Sequence, residues 1–544
     1  MNRPAVVLLA LGVCVLAGAP GCGVPSAGGK ADTFGLDFSI PPDAQRQGAV
    51  VFVVDGLNGR VFGEMLDAGK LPAIQRYFVD RGLYAPRAVA GTPSVTLANL
   101  TSLVTGQFPG HHGIVGINWF DRDELIWRNY ETIAQKNTLD ADYTAPTLYE
   151  YLRGELTFSI FFQPHRRATK FVENWTSAGP LFFFGWYEYI DRLTLSRLQI
   201  VTDVAREYRR FPAVTFVYLL APDFRGYRRG VSSEAYRDAV VHTDRQIGRV
   251  LGDVERAGLL DEVLLMLVSD HGMDDVTTHF PLDEFLDTQA GLEIAGRRLW
   301  EKQPFEGRLK YYGRQTAVAY GSGDRYWALC LRKPVRKEGE VVGLEPWLDR
   351  PDGEDVRQYP TRHGLTDLPK VLCDQDAVDV VAYAPGRDCV RICRRHGEVE
   401  LAQPQGRGGP IAYRVVSGAD PLGWEGKVSA AALGGEPMTP RQWLGETMDT
   451  EYPDLPAQIL AYFRSSRAGD LVVFAAPGFD FNTVNRAGHG GLRPADMFVP
   501  MLLAGPGVPH GRVDAARTVD LVPTLLKLLG RPVPESLDGQ PLVP

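Results

Sequence analysis

The chain has 544 residues, of which 44% are hydrophobic, and this is enough to bury a large core and to form more than one domain. Its formal net charge is −8, and its basic residues occur in short clusters such as Arg166-Arg167 and Arg332–Lys337. These clusters are too small to form the basic face that a nucleic-acid-binding protein needs. The composition therefore excludes binding to a nucleic-acid duplex as the main activity.

The amino-terminal segment has the pattern of an export signal. A weakly basic start precedes the apolar run Ala5–Ala17, which is too short to span a bilayer as a helix. Small residues then lead to Cys22, in a pattern that resembles the lipidation site of a bacterial lipoprotein; cleavage after Ala19 is the alternative. We expect residues 1–22 to be a signal peptide of the lipoprotein type and residues 23–46 to be a tether. The protein is then exported and lipid-anchored in the bacterial cell envelope, or secreted.

Apolar runs that end at turn or acidic residues mark the predicted strands. They are Ala49–Val54, Val214–Leu220, Val263–Val268, Leu471–Ala476 and Phe498–Ala504. Continuous apolar runs of this length are typical of strands buried on both faces, as in a parallel sheet covered by helices. Amphipathic segments accompany these runs. The clearest is Ser232–Ala257, Thr518–Leu529 is another, and each is followed by a glycine.

Strand and helix signals alternate up to about residue 280 and return after Pro453. The segment Pro281–Leu444 instead contains short alternating pieces, many Gly, Pro and Arg residues, and a predicted β-meander around Val378–Leu401. These changes indicate one α/β core that is interrupted by an insert. The predicted parts are core residues 47–280, an insert or cap at residues 281–450, and core residues 451–544.

Residues 155–196 carry many aromatic side chains. The simpler interpretation is a segment packed under the core, and the alternative is a lid or apolar pocket wall above a site.

Four cysteines follow the amino-terminal segment: Cys330, Cys373, Cys389 and Cys393. In an exported protein one or two disulfides are expected among them, and three pairings are open. A cysteine-rich zinc site is not expected, because the C-x₂-C spacing is missing.

Acidic residues and histidines recur at the predicted strand ends. Asp55, Asp223 and Asp270 follow three of the apolar runs, His271 follows Asp270, and His489 lies in a Gly-rich turn. Because the carboxyl ends of parallel strands meet at one edge of a sheet, we expect these side chains to converge. Carboxylate and imidazole together suit Zn²⁺, and two such ions would bind both the attacking and the leaving oxygen in phosphoryl transfer.

Thr96 is the candidate nucleophile. The apolar residues from Leu97 to Val104 share one helical face and Gly106 ends the pattern, so Thr96 is predicted at a helix N-terminus. Free amides and the helix dipole favour an anion there, and a bound metal would make the hydroxyl nucleophilic at neutral pH. The alternatives are that Thr96 only caps the helix, or that Ser94 is the nucleophile.

Seven stretches of the chain together resemble the alkaline phosphatase superfamily, and more narrowly its type I phosphodiesterase/nucleotide pyrophosphatase branch. They are Val51–Gly56, Pro93–Asn99, Ser102–Gly106, His112–Ile114, Ala221–Asp223, Ser269–Met273 and Gly488–Gly490. The resemblance covers about Ala49–Met273 and Leu471–Pro544. It implies an α/β fold: an alkaline-phosphatase-like three-layer α/β/α core with a mostly parallel sheet, plus a smaller inserted cap region.

The same resemblance implies roles for individual residues. Thr96 would attack phosphorus and form a phospho-threonine intermediate, and Tyr218 matches a position that stacks on a nucleobase. The implied ligands are Asp55, Asp270, His271 and the Thr96 oxygen for one zinc ion, and Asp223 and His489 for a second.

The chain departs from the family pattern at three positions. Tyr227 stands where a histidine ligand of the second zinc ion is usual, so that site lacks a ligand. Ile117 stands where a phosphate-binding asparagine is usual, which leaves its neighbour Asn118 as the candidate for that role. Leu97 follows the nucleophile, where an aromatic residue is common. The Cys/Ser-x-Pro-x-Arg motif of the sulfatase branch is missing around Thr96.

The leading prediction is therefore an exported, metal-dependent phosphoesterase that acts on phosphodiesters. A phosphomonoesterase, or a transferase of phospho-alcohol groups on envelope lipids or glycans, is the alternative enzyme. The changes at Tyr227 and Ile117 leave open a third interpretation, a relative that has lost turnover and binds a ligand. The expected partner is a small phosphoester or the headgroup of an envelope lipid or glycan.

Overall fold

The computed structural model describes residues 38–41, 47–131, 138–172, 175–296 and 304–544. The predicted signal peptide, Cys22 and most of the predicted tether lie outside the described residues. Residues from Ile40 to the carboxyl end form one compact unit. Among the described residues, none of the helices combines the length and the apolar character that a membrane span requires.

The elements of the described residues are as follows. The strands are β1 Gly48–Val54, β2 Gly82–Val89, β3 Asn118–Asp121, β4 Ile126–Asn129, β5 Thr157–Ile160, β6 Lys170–Val172, β7 Val214–Leu219, β8 Val263–Val268, β9 Asp274–Asp275, β10 Thr278–His279, β11 Ala317–Ser322, β12 Tyr326–Leu331, β13 Pro334–Lys337, β14 Glu340–Leu344, β15 Tyr359–Thr361, β16 Gly364–Thr366, β17 Val378–Gly386, β18 Cys389–Arg394, β19 Gly397–Ala402, β20 Ala412–Gly418, β21 Leu471–Ala475, β22 Phe479–Asp480, β23 Ala487–Gly488, β24 Phe498–Ala504, β25 Gly511–Arg512 and β26 Ala516–Arg517. The helices are α1 Gly59–Asp67, α2 Pro72–Tyr77, α3 Thr96–Thr105, α4 Pro109–His112, α5 Leu139–Asp142, α6 Leu148–Tyr151, α7 Trp175–Phe183, α8 Tyr187–Tyr208, α9 Ala221–Arg229, α10 Glu234–Arg256, α11 Leu282–Thr288, α12 Phe305–Tyr312, α13 Gly353–Arg357, α14 Leu368–Cys373, α15 Ala430–Leu433, α16 Pro440–Thr447, α17 Leu455–Phe463, α18 Pro494–Met497 and α19 Leu521–Leu528.

The main sheet has the strand order β25-β2-β24-β8-β1-β7-β5-β6, and β26 also pairs with β2. Strand β1 lies between β7 and β8, parallel to both, with Val50 opposite Thr215 on one side and Leu265 on the other. All residues of these three strands are buried. The three predicted parallel strands are therefore confirmed, and their carboxyl ends meet at one edge of the sheet.

Two of the five predicted strands do not join the parallel part of the sheet. Strand β24 lies in the main sheet but runs antiparallel to both β2 and β8. Strand β21 lies in a second sheet of order β11-β12-β21-β17-β18-β19-β20, where it is antiparallel to β12 and β17. A continuous apolar run indicates that both faces of a strand are buried. Because parallel and antiparallel strands can both be buried in this way, the pattern could not predict the strand direction.

The predicted β-meander is confirmed as β17, β18 and β19, which pair in antiparallel succession. The predicted core and insert boundaries stay a prediction, although β21 pairs with strands that lie inside the predicted insert. The predicted helix Ser232–Ala257 is observed as α10, which begins after the N-cap Ser233. The predicted helix Thr518–Leu529 is observed as a 3₁₀ turn at Thr518–Asp520 followed by α19.

The aromatic segment is buried in one part and exposed in another, and its alternative interpretation as a lid or pocket wall stays a prediction. Phe158 and Phe162 are fully buried in the core, as the simpler one predicted. Phe183 at the end of α7, and Phe184 and Trp186 in the turn before α8, are instead exposed at the surface. Hydrophobicity predicted that all five of these side chains are buried. The fold leaves Phe183, Phe184 and Trp186 outside the core, and the sequence alone could not show this.

The expected disulfides are not found. The four cysteines beyond the amino-terminal segment are free thiols: Cys330, Cys373 and Cys393 are buried and Cys389 is half-buried. Burial raises the pKa of Cys330 above its usual range and that of Cys373 to about 12. In the structure these residues therefore act as small apolar side chains of the second sheet and its covering helix.

Candidate metal site

The first carboxylate of the site is positioned by a tight turn at the end of β1. The backbone amide of Asp55 donates to the carbonyl of Leu219 at 2.8 Å, which continues the pairing of β1 with β7. Gly56 follows with a φ of +66°, and a Cβ atom there would lie 2.8 Å from the Cα of Asp223. Only glycine permits both this backbone conformation and this close approach. The turn therefore brings Asp55 and Asp223 side by side.

Asp223 lies in the first turn of α9, and a buried carboxylate from another helix holds that helix start. Asp191 of α8 accepts hydrogen bonds from the amides of Leu220 at 2.8 Å and Ala221 at 3.1 Å. These are amides that the helix itself leaves unpaired. Burial raises the pKa of Asp191 to about 7. No local sequence pattern indicated a role for Asp191, because it lies 29 and 30 positions before the two amides that it binds.

Asp270 and His271 follow β8 in a turn that Ser269 organises. The Ser269 hydroxyl accepts from the Leu57 amide at 2.9 Å and donates to the His271 carbonyl at 2.9 Å. The Nδ1 atom of His271 lies 2.9 Å from the carbonyl oxygen of Gly272. Since a carbonyl only accepts, Nδ1 carries the proton and Nε2 has a free lone pair. This hydrogen bond fixes the tautomer that a metal-binding histidine needs.

His489 is oriented in the same way. Its Nδ1 atom lies 2.8 Å from the carbonyl oxygen of Ser94, so that it donates there and leaves Nε2 free. The imidazole ring stacks on that of His271, with a centroid distance of 3.6 Å. The His489 amide also donates to the carbonyl of Gly323 at 2.7 Å, which joins the site to the end of β11.

The side chains converge as two overlapping groups of possible metal ligands. One group is Asp55, Asp270 and His271, and the other is Asp223, His271 and His489. Within each group the ligand atoms lie within 4.8 Å of one another, and all five side chains are buried. Five of the six sequence-predicted ligands are therefore placed together by the fold.

The polar atoms in this cluster fit a divalent cation. Asp55 Oδ1, Asp223 Oδ1 and Asp270 Oδ2 are buried and have no hydrogen-bond partner among the described residues. The Nε2 atom of His271 lies 3.3 Å from Asp55 Oδ1 and 3.5 Å from Asp270 Oδ2. Because the proton of His271 is on Nδ1, these contacts bring lone pairs face to face. Buried acceptors in this arrangement are unfavourable unless a proton or a metal cation lies between them, and the site therefore fits a metal ion.

The pKa values of the clustered groups show that burial and mutual repulsion disfavour their charged forms. The pKa of Asp55 is raised well above its usual range, mainly by burial and secondly by the charge of Asp270. The pKa of Asp223 is raised in the same way, mainly by burial and secondly by the charge of Asp55. Burial, and then Asp223, raise the pKa of Asp270 to about 8. Burial lowers the pKa of His489 to about 4 and is the largest cause that lowers the pKa of His271. Neutral imidazoles and clustered carboxylates are the ligand set that Zn²⁺ prefers.

Thr96 lies beside this cluster and does not cap its helix. It is the first residue of α3, the N-cap position is Val95, and that cap makes no side-chain hydrogen bond. The Thr96 Oγ1 atom lies 3.0 Å from His271 Nε2. The rival nucleophile Ser94 instead donates its hydroxyl proton to the carbonyl of Gly491 at 2.8 Å. The geometry therefore favours Thr96 over both alternatives.

Tyr218 and Tyr227 both contact the metal-ligand cluster. The Tyr218 hydroxyl donates to Asp55 Oδ2, and its ring is stacked against Phe161 at a centroid distance of 6.4 Å. Tyr218 is 9% exposed; its role in base stacking stays a prediction. The ring of Tyr227 lies 5.5 Å from that of His489. Burial, and then Asp324, raise the pKa of Tyr227 well above its usual range, so the phenol is neutral and is a weak metal ligand.

Asn118 is not among the clustered ligands. Its side-chain amide donates to the Gly321 carbonyl at 3.1 Å, and its Oδ1 atom is buried without a hydrogen-bond partner among the described residues. The backbone amide of its neighbour Ile117 donates a hydrogen bond to the Ser322 hydroxyl at 3.1 Å. Both residues are therefore held against the end of β11, next to the Gly323 carbonyl that binds His489. The role of Asn118 in phosphate binding stays a prediction.

Comparison with known protein families places the chain near one family of phosphoesterases. The model of the type I phosphodiesterase / nucleotide pyrophosphatase family matches residues 49–346, which is more than half of the chain. An uncharacterized pyrophosphatase/phosphodiesterase of Schizosaccharomyces pombe is 24% identical over 231 residues, covering 42% of this chain and 46% of the relative. Ectonucleotide pyrophosphatase/phosphodiesterase family member 7 of Mus musculus is 25% identical over 182 residues, covering 32% and 39%. The chain thus spans less than half the length of these two curated relatives.

Solved structures of other proteins have the same fold as this chain. Murine ectonucleotide pyrophosphatase/phosphodiesterase 5 has a TM-score of 0.55 at 15% identity, covering 90% of this chain and 96% of that chain. An inactive threonine-to-alanine variant of the murine protein, in complex with AMP, has a TM-score of 0.54 at 15% identity, with the same coverage. This likeness confirms the predicted fold class.

Proposed function

The chain belongs to the type I phosphodiesterase / nucleotide pyrophosphatase family, and from this membership we propose that it is a metal-dependent phosphodiesterase with Thr96 as its nucleophile. One observation carries the proposal. Thr96 Oγ1 lies 3.0 Å from the unprotonated Nε2 atom of His271, which itself lies within 3.5 Å of carboxylate oxygens of Asp55 and Asp270. A metal-assisted nucleophile needs a hydroxyl, an imidazole and carboxylate oxygens that are free to bind the metal. Here they lie together, because Asp55 and Asp270 each have one buried oxygen without a hydrogen-bond partner among the described residues.

Zinc is the proposed cofactor. Asp55, Asp270 and His271 would hold one ion beside Thr96, and Asp223 and His489 would hold a second. Zinc bound there supplies positive charge that lowers the pKa of a hydroxyl and neutralises the phosphoryl oxygens. The second site is the weaker of the two, because Tyr227 offers a neutral phenol where a third strong ligand is needed.

The chain's own residues provide the nucleophile and its orientation. Thr96 begins α3, so backbone amides of its first turn are free to attract the phosphate anion toward Oγ1. Attack forms a bond between Thr96 Oγ1 and phosphorus and releases one alcohol of the diester. Water then cleaves the phospho-threonine ester, which releases a phosphate monoester and restores the threonine hydroxyl.

The substrate class is proposed to be nucleotide phosphodiesters. The AMP complex of a structural neighbour supports this choice, as does the aromatic ring of Tyr218 near the ligands. A phosphomonoesterase or a phospho-alcohol transferase acting on envelope lipids or glycans is the second candidate. Tyr227 favours a third candidate, a relative with impaired turnover that binds its ligand.

Export to the bacterial envelope is also proposed, on the amino-terminal sequence pattern alone. The apolar run Ala5–Ala17 followed by Cys22 supports a lipid-anchored form, and a secreted form is the alternative. Mass spectrometry of the purified amino terminus tests this, because lipidation of Cys22 adds the mass of the acyl chains.

Hydrolysis of bis-p-nitrophenyl phosphate by the purified protein tests the activity. We expect Thr96→Ala and metal chelation each to reduce turnover by at least about 10³-fold. Thr101→Ala is the matched control, since Thr101 lies on the same helix and donates its hydroxyl proton to the Leu97 carbonyl at 2.8 Å. Acid quenching during turnover of this diester, followed by peptide mass spectrometry, should find a p-nitrophenyl phosphoryl group on Thr96. Turnover that survives in Thr96→Ala would rule out this nucleophile.

A further inference from the structure

We propose that an exposed aromatic ridge next to the candidate site docks the protein onto an anionic phospholipid surface. The aromatic ridge consists of Phe183, Phe184, Trp186 and Tyr189. These residues lie at the end of α7, in the following turn and at the start of α8. The docking itself does not depend on catalysis. Only its consequence for substrate choice rests on the proposed function.

The ridge is the densest exposed apolar stretch of the described residues. Phe183 is 68% exposed, Phe184 54%, Trp186 58% and Tyr189 45%. The other large apolar side chains that are exposed among the described residues are spread over distant parts of the chain. The rings of Phe183 and Phe184 lie 5.5 Å apart and those of Phe184 and Trp186 lie 5.8 Å apart, so they form one surface. Contiguous exposed aromatic surface of this kind is typical of an interaction site.

A buried layer beneath the ridge holds it in place. Tyr187 is 1% exposed, and its ring contacts Phe182 at 5.6 Å and Phe224 at 5.0 Å. Glu188 forms an ion pair with Arg225 at 2.6 Å, which ties the start of α8 to α9. The exposed rings therefore project from a packed base, so little ordering entropy is lost when they bind a surface.

The charges around the ridge favour an anionic lipid over a neutral one. Arg192 and Arg228 are exposed, in a chain whose net charge is −8. Arg228 lies beside the ridge, with its guanidinium 5.4 Å over the ring of Tyr187. The guanidinium of Arg192 lies 5.5 Å over the ring of Tyr189. The nearby carboxylates are engaged: Glu188 pairs with Arg225, and Asp191 is buried against backbone amides.

Aromatic rings at the level of the headgroups, with arginines that reach lipid phosphates, form the usual anchor of a protein that lies on a membrane surface. A chain with a negative net charge is repelled by an anionic bilayer. Arg192 and Arg228 make the ridge a locally basic surface, so the ridge also determines the orientation of docking.

The ridge is connected to the candidate site by a row of aromatic contacts. Phe182 packs against Phe224 with a ring distance of 4.7 Å, and Phe224 follows Asp223 in the sequence. The rings of Phe224 and Tyr227 lie 6.5 Å apart, and Tyr227 contacts His489. Docking through the ridge would bring these ligands close to lipid headgroups. If the proposed activity holds, headgroup phosphodiesters then become substrates that the protein meets at the surface.

The test uses the full chain labelled at single positions. Phe183→Cys, carrying an environment-sensitive fluorophore, is mixed with phosphatidylglycerol/phosphatidylcholine vesicles that contain doxyl-labelled lipids. We expect strong quenching of the label at position 183 and none for the matched label at Val342→Cys, which is 55% exposed in the wild-type chain and lies far along the sequence. This readout is independent of any amino-terminal lipid anchor, because an anchor alone would not bring position 183 into the bilayer.

Binding to the same vesicles provides the second measurement. Phe183→Ser/Phe184→Ser/Trp186→Ser should weaken partitioning by at least about tenfold. Val342→Ser/Leu348→Ser/Val484→Ser, which removes exposed apolar side chains elsewhere, should not. Arg192→Gln/Arg228→Gln should remove the preference for anionic over zwitterionic vesicles.

All ridge variants should hydrolyse a soluble diester at the wild-type rate, so loss of docking and failure of the proposed activity are distinguishable. An unquenched label at position 183, or equal partitioning of the ridge and control triple variants, would overturn the proposal. Either result would point to a protein partner for the ridge.

Discussion

The hydroxyl of Tyr218 donates a hydrogen bond to Oδ2 of Asp55. This contact joins the end of β7 to the first residue after β1 and leaves only Oδ1 of that carboxylate unpartnered. Tyr218 therefore orients a candidate metal ligand, as outer hydrogen-bond partners do in known metal sites.

We expect Tyr218→Phe to weaken zinc binding by about 10- to 100-fold, because Asp55 loses the hydrogen bond that orients it. Isothermal titration of the metal-free protein measures the affinity. Tyr84→Phe is the control, since the buried Tyr84 hydroxyl has no hydrogen-bond partner among the described residues. Equal zinc affinities of Tyr218→Phe and the wild type would exclude the orienting role.

Gly56 should tolerate no side chain. We expect Gly56→Ala to destabilise the protein by about 1–2 kcal/mol from its left-handed backbone alone, and further because the new Cβ would meet Asp223. Zinc binding should fall with it. Gly63→Ala, inside α1 with open space around the added methyl group, should instead stabilise by about 0.5–1 kcal/mol. Melting temperature and metal content measure both, and a Gly56→Ala protein with wild-type values would contradict the turn argument.

Tyr227→His should strengthen the second metal site. The Tyr227 ring already contacts His489, so an imidazole there would add a third nitrogen or oxygen ligand to Asp223 and His489. We expect bound zinc to approach two equivalents per chain, against a smaller value for the wild type. Inductively coupled plasma mass spectrometry gives the stoichiometry. Tyr208→His, at an exposed position, is the control, and an unchanged stoichiometry in Tyr227→His would count against a metal at this position.

Zinc should stabilise the folded protein, because it neutralises three buried carboxylates. At a free zinc concentration about 100 times the dissociation constant, the expected gain is about 2.7 kcal/mol. Differential scanning fluorimetry with and without chelator measures the shift. Asp55→Asn/Asp223→Asn should abolish the zinc-dependent rise and should melt at a temperature at least as high as that of the chelated wild type. A zinc-dependent rise that persists in the double variant would place the metal elsewhere.

The carboxylate of Asp538 should make stability depend on pH. It accepts hydrogen bonds from the Phe108 amide at 2.8 Å and from His111, and it pairs with Arg407. Burial opposes its ionisation, but these partners outweigh burial and hold the pKa of Asp538 below its usual range. A lowered pKa contributes stability above the unfolded value of about 3.9, and the contribution is lost as the pH falls through the folded value.

We therefore expect Asp538→Asn to cost about 1–3 kcal/mol at pH 7 and progressively less below about pH 4. Melting temperatures at pH 7 and at about pH 3.5 measure the difference. Asp261→Asn, which removes an exposed ion pair with Arg81, should have little effect at either pH. A loss in Asp538→Asn that is the same at both pH values would show that packing, and not charge, is responsible.

The sequence indicated which side chains come together at the candidate site, but not which residues surround them. Asp55, Asp270 and His271 follow apolar runs, and the start of α3 follows from helical periodicity. These signals are local, so they could be read without a structure. The strand direction of β21 and β24 could not be read, because burial on both faces is common to parallel and antiparallel strands.

What the sequence determined by itself is therefore the residue types that end the buried strands, the helix that begins at Thr96 and the α/β character of the core, since each depends on residues within a few positions of one another. Only the tertiary structure decided that Tyr218 binds Asp55, that Asp191 holds the helix of Asp223, and that Phe183 and Trp186 remain outside the core. Those contacts join residues that are far apart in the chain or depend on which surface the chain leaves uncovered. The periodicity of a sequence predicts neither long-range contacts nor uncovered surface. Both depend on which residues the folded chain brings close together, and therefore on the tertiary structure.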